Sequence, residues 1–125
     1  MDMEREYAEF AKRLGLSGFL FSETGVASLV IENIGQVFFE KNEQEREKFL
    51  LVYLARQYDA YEKPMPEKVL RFCSYAQGHN PPLYGSCVKD MVILGVRLDE
   101  ETVTAVSLEN TVYYLAEKMQ KLFAD

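Results

Sequence analysis

Hydrophobic and polar positions alternate with a period of two through ASLVIENIGQVFFEKNEQEREKFLLVYLAR, the stretch from Ala27 to Arg56. Ala27, Leu29 and Ile31 alternate with Ser28, Val30 and Glu32, and Gly35, following Asn33, marks a turn. From Gln36 to Lys41, Val37 and Phe39 share one face and Phe38 and Glu40 the other. A charged run from Lys41 to Lys48 then leads into FLLVYLA. Period-two runs rich in β-branched and aromatic residues, broken by Asn/Gly and charge clusters, predict three strands of an antiparallel meander. In the third, Phe49, Leu51, Tyr53 and Ala55 fall on one face and Leu50, Val52 and Leu54 on the other. Both faces are apolar, so both are expected to be buried. Something must cover the second face.

The flanking segments follow a helical period. Met3, Tyr7, Phe10 and Leu14 recur on one face, with acids first (Asp2, Glu4, Glu6, Glu9) and bases last (Lys12, Arg13), the order that suits the helix dipole. Gly15 supplies the left-handed residue that ends this helix. A linker from Leu16 to Gly25 carries an apolar knot, Gly18-Phe19-Leu20-Phe21, which fits a short strand or a packed loop.

Beyond Arg56 the stretch from Asp59 to Pro66 is polar with two prolines. Pro66 stands at the first position of a second helix and Gly78 just past its end. Val69, Phe72, Cys73 and Ala76 form its stripe, with Leu70 and Tyr75 on the flanks. GHNPPLYG is a loop. Ser86 to Lys89 and Met91 to Leu98 read as two more strands around a tight Lys89-Asp90 turn, and Gly95 inside the second predicts a bulge or a close packing contact. Ser107 is placed to cap a last helix reaching about Phe123, its face made of Leu108, Val112, Leu115, Met119 and Leu122. Residues 101 to 106 fit either a loop or an earlier start of that helix. The order α-β-β-β-α-β-β-α over residues 1–125 predicts one α+β domain, a twisted antiparallel sheet with helices packed against it.

Composition narrows the function. The chain has 125 residues, 48% hydrophobic and 27% charged, which suits a soluble globular domain. A formal net charge of -6 argues against nucleic acid and against an anionic membrane as partners. No apolar run reaches the length of a membrane span and no signal-peptide pattern opens the chain, so the expected location is cytoplasmic. Cys73 and Cys87 are expected to be reduced and structural.

No catalytic constellation is evident, and an enzyme is not expected. His79, the single histidine, has no acid or nucleophile next to it in its Gly-Asn-Pro-Pro loop and reads as solvated. The cysteines lack zinc or dithiol spacing, and the glycines form no phosphate cradle, so no metal or cofactor is expected. Glu40, Glu43, Glu45 and Glu47 flank a turn and Asp99, Glu100 and Glu101 follow a strand; their order does not match a calcium loop, and solvated turns are the simpler reading.

Apolar area is the unusual feature. The chain has 8 Tyr and 8 Phe. Phe38, Leu50, Val52, Leu54, Leu70, Tyr75, Tyr113 and Tyr114 exceed what one core takes. Either helices cover both sheet faces and the tyrosines point their hydroxyls outward, or the excess forms a surface for a partner, a second copy, or both.

The pattern resembles the class I chaperones of type III secretion. The resemblance is carried by the amphipathic first helix ending in RLGL (Arg13 to Leu16), the hydrophobic three-strand block, and the loop with Asn80 and then Gly85. The strand pair ending in VILGVRLD and the single closing amphipathic helix complete it. The Phe19 to Phe21 knot and the lack of a tryptophan near the end depart from the family pattern. The resemblance implies a bacterial, cytoplasmic, acidic homodimer without catalytic activity. It would hold the N-terminal segment of a secreted effector unfolded and extended, by strand addition at a sheet edge and by apolar grooves beside the first helix. On this chain it implies effector contacts at Tyr7, Phe10, Leu14, Leu29, Val37 and Phe39, some of them shared with the core. It implies a dimer contact at Val69, Leu70, Phe72 and Cys73. The alternative is a small regulatory or sensor domain of the same fold, with a closed pocket for a small ligand or a surface for a folded partner.

Overall fold

Acids in the first turn and bases in the last stabilise α1, Met3–Arg13, and Gly15 at φ 73° ends it as the pattern predicts. The computed structural model describes residues 3–16, 19, 21–44, 47–59, 61 and 64–124. The expectations for Asp2, Gly18, Leu20 and Glu45 lie outside them.

Three strands follow: β1, Val26–Ile31; β2, Gly35–Gln44; and β3, Glu47–Gln57. The β1–β2 turn has Asn33 and Gly35 at positive φ, so the Asn/Gly signal is a steric requirement there. The charged run expected as a connection instead lengthens two strands. Asn42 pairs with Phe49 and Glu43 with Lys48 along the ladder, and the Glu43 and Lys48 side chains meet at 3.8 Å. Opposite charges across a strand pair keep the ladder going where apolar content alone predicts a loop.

Helix α2, Met65–Phe72, is shorter than its pattern. Pro66 lies inside the first turn as expected, but the helix stops before Ser74, whose hydroxyl accepts from the Ala76 amide and starts a separate 3-10 turn, Tyr75–Gln77. Gly78, at φ 70°, closes that turn, so Ala76 does not belong to the helical stripe. Strands β4, Tyr84–Val88, and β5, Met91–Asp99, form a hairpin with Lys89 at φ 58° in the tight turn. A 3-10 turn, Glu100–Thr102, precedes α3, Ala105–Phe123.

Ser107 is not the cap of α3. Thr104 is: its hydroxyl accepts from the Ser107 amide at 3.0 Å, while Ser107 Oγ accepts from the Thr104 amide at 2.8 Å. This reciprocal pair satisfies two donors, which Ser107 alone would not do. Glu6 of α1 accepts from the Ala105 amide at 2.9 Å and ties the two helices together.

The strand order is β1-β2-β3-β5-β4, all antiparallel, with β1 and β4 at the edges. Leu108, Val112, Leu115, Met119 and Leu122 are all buried, and α3 packs across β3 and β5 while α1 packs against α3. The fold is therefore the α+β arrangement expected, with the helices on one side of the sheet.

Candidate functional site

The side-chain alternation of the strands sorts the sheet into two unlike faces. Leu50, Val52 and Leu54 of β3 and Val92, Leu94 and Val96 of β5 point toward the helices and are fully enclosed. Leu50, Val52 and Leu54, counted above among the surplus, are thus core residues. Their neighbours Leu51, Tyr53, Ala55 and Ile93 point the other way and are only half-buried. Among the described residues, the burial expected on both sides of β3 is provided on one side only.

Register makes this open face continuous. Ser28, Phe38, Tyr53, Gly95 and Tyr84 lie in one row across all five strands. The Phe38 and Tyr53 rings stack at 5.0 Å, and burial, then the neighbouring Glu40 carboxylate, pushes the Tyr53 phenol up from its ordinary range. Gly95 causes no bulge. A Cβ there would sit 3.0 Å from both Tyr53 Cβ and the Val52 carbonyl, so glycine is the close-contact residue of the two options left open. Beside it lies a hollow of about 360 Å³, open to solvent, walled by Leu51, Tyr53, Tyr84 and Ile93. Toward the far end Arg97 lies 3.8 Å over the Phe49 ring and is held by Glu47 at 2.9 Å, which closes that part of the face.

Beside this face, at the β4 edge, stands α2. Gly85 lets it approach: a Cβ there would fall 2.6 Å from Cys73 Sγ and 2.7 Å from Val69. Of the residues expected at a dimer contact, Val69 is buried against its own sheet and Phe72 and Cys73 are half-buried. Leu70 alone points fully outward, 71% exposed, with Tyr75 beyond it. The outward apolar surface of this element is therefore Leu70 and Tyr75. Burial raises the Cys73 thiol above its ordinary range, the direction that disfavours the thiolate.

The groove expected beside α1 is filled. Phe19 stacks on Tyr7 at 5.1 Å and meets Phe10 and Phe39 edge-on; Phe21 meets Tyr7 and Phe19. Lys41 lies 4.4 Å over the Phe21 ring. Tyr7, Phe10, Val37 and Phe39 are consequently enclosed in the core and offer no surface in this conformation. Of the six expected effector contacts, Leu14 and Leu29 remain accessible.

His79 is fastened rather than solvated: a ring nitrogen lies 2.6 Å from the Phe72 carbonyl at the end of α2 and its ring packs on Phe72. Tyr114 donates to the Pro81 carbonyl at 2.7 Å, so the connection between α2 and β4 is held at His79 and at Pro81. Among the described residues no cluster of three or more His, Cys, Asp or Glu is placed to hold a metal ion, and no helix is long and apolar enough to cross a membrane.

Similar architecture occurs in solved structures. A chain from the crystal structure of the Yersinia pestis type III secretion chaperone SycH in complex with a stable fragment of YscM2 matches with a TM-score of 0.72 at 18% identity, over 97% of this chain and 99% of that one. A chain of the HopA1-SchA chaperone-effector complex matches at 0.67 and 14%, over 100% and 99%. A chain of the ExsC-ExsE complex matches at 0.72 and 23%, over 95% and 91%. No protein-family model and no curated protein sequence matches the chain. The fold is that of type III secretion chaperones, present over nearly the whole chain.

Proposed function

We propose that this protein is a bacterial cytoplasmic chaperone of a type III secretion system, which binds the N-terminal segment of a secreted effector in extended form. It acts as a homodimer and catalyses no reaction. The observation that carries the reading is apolar surface beyond what one copy of the chain covers, together with a second sheet edge, β1, that the proposed dimer leaves free for a guest. A free edge offers main-chain hydrogen bonds to an extended guest, and apolar depressions take its alternate side chains. The likeness in fold to a chain of a chaperone-effector complex and to a type III secretion chaperone solved with a protein fragment supports the same reading. A net charge of -6 keeps such a sticky molecule dispersed.

The second copy supports its own share of the apolar surface. Leu70 and Tyr75 stand on one side of the β4 edge and the Gly95 hollow on the other. A two-fold axis along the β4 edge sets the outward side chains of each α2 over the open face of the other subunit, an isologous contact.

The test is to purify the protein from its native host, treat the complex with protease and map what is retained. The expected result is an N-terminal fragment of one secreted protein, protected in the complex and unfolded by circular dichroism when released. A retained partner that is folded on its own, or no retained fragment, would overturn the reading.

A further inference from the structure

We infer that charge makes the self-contact selective: Arg71 of each copy enters a polar pocket at the Arg97 end of the open face of the other. The inference rests on the homodimer proposed above and goes beyond it, to which residues meet and what makes like copies choose each other.

The open face carries two adjoining depressions that share Tyr84 as a wall. The first is the apolar hollow beside Gly95. The second, of about 390 Å³, has apolar walls from Phe49, Pro82 and Tyr84 and a charged rim. Both cations on that rim are matched, Arg97 by Glu47 at 2.9 Å and Lys48 by Glu43 at 3.8 Å. Asp99 and Glu101 are the remainder. The Asp99 carboxylate accepts from the Glu101 amide at 3.1 Å, and neither carboxylate has a cation within ion-pair distance among the described residues. Apolar walls beside two unmatched carboxylates fit a long cationic side chain, whose stem packs on the rings while its head meets the acids.

Helix α2 carries such a side chain. Arg71 directly follows Leu70, both are exposed, and the Arg71 guanidinium has no ion-pair partner among the described residues, Glu67 one turn earlier included. Position agrees with charge. Val69 and Cys73 lie against Gly85, and Gly85 pairs with Leu94, next to Gly95. A two-fold axis parallel to β4 keeps every residue at its own level along the strand, so Leu70 and Arg71 of one copy come level with the hollow of the other. Arg97 stands two residues beyond Gly95 on the same side of β5, about 7 Å away, a separation that an extended arginine side chain spans. Leu70 then fills the apolar depression and Arg71 the polar one, and the symmetry makes each contact twice.

The test mixes two variants. In Arg71→Glu alone and in Glu101→Arg alone, like charges meet at both contacts, and each homodimer is expected to weaken about tenfold or more. A mixed dimer with one chain of each restores opposite charges at both contacts. With one variant isotopically labelled, native mass spectrometry is expected to find mixed dimers well above the share given by random pairing. Mixed dimers at or below that share, or a variant that dimerises as tightly as wild type, would overturn the inference. A second measurement needs no variant: the wild-type dimer should loosen as salt is raised, and a dissociation constant indifferent to salt overturns the inference. A monomeric wild type would remove the homodimer reading and this inference together, whereas a dimer that mixes at random removes the inference alone.

Discussion

Leu50, Val52 and Leu54 share a strand with Leu51, Tyr53 and Ala55, yet the first three are sealed under α3 and the second three lie under no helix. Both faces of β3 are apolar, and among the described residues helices cover only one. Burial of a leucine or phenylalanine side chain is worth about 1.5–3 kcal/mol, so apolar content left in water is a standing drive toward association. The closed face holds the fold together; on the proposed reading the open face is where partners gain their affinity. Substitutions on the two faces should therefore fail in different ways.

The largest effect is expected on the closed face. Leu94→Ala, at a fully buried position, should cost about 2–5 kcal/mol in urea unfolding, from lost transfer energy plus the cavity left behind. Next, Leu70→Asp should weaken self-association by about a hundredfold or more, since it sets an unpaired charge against an apolar contact. Because Leu70 is 71% exposed in the subunit, unfolding measured below the dissociation concentration should not change. A variant that stays dimeric places the interface elsewhere.

Ile93→Ala, on the wall of the hollow, should cost the isolated subunit less than about 1 kcal/mol, yet weaken association measurably by sedimentation. An effect on unfolding as large as that of Leu94→Ala would erase the distinction between the faces.

The smallest effect concerns the α1 groove. Burial, then the Glu100 charge, raises the Tyr7 phenol well above its ordinary value. The unfolded phenol ionises near pH 10, so above that pH the unfolded state binds fewer protons than the folded state and stability falls as pH rises. Tyr7→Phe should remove this alkaline loss. At neutral pH it should change stability by about 1 kcal/mol or less, because the hydroxyl has no partner to lose. Thermal melts between pH 8 and pH 11 check both points; parallel profiles for the two proteins would contradict them.

Periodicity made most of the architecture readable. The five residues of the buried α3 face, the three-strand block and the Lys89-Asp90 turn all follow from local spacing and turn chemistry. The length of β2 and β3 did not, because the Glu43–Lys48 pairing that extends them is a contact across strands. The cap of α3 also escaped, since Thr104 and Ser107 both fit a capping role and only the reciprocal geometry decides. The candidate site was legible as a surplus and misplaced in detail. Val69 and Phe10 lie on apolar stripes, but a stripe does not reveal which side faces its own sheet. Phe19 and Phe21 stood out as an added knot; that Phe19 packs beside α1 depends on its contact with Phe39, some twenty residues on. Gly95 was the clearest signal, a glycine inside an apolar strand, and it marks the floor of the hollow.

The most direct test of the open face is the mass of the purified protein by light scattering across a dilution series. The account predicts twice the 14.4 kDa chain mass, persisting to micromolar concentration and lost in Leu70→Asp. A particle of 14.4 kDa at tens of micromolar, with the open face bare and the protein still soluble, would contradict it.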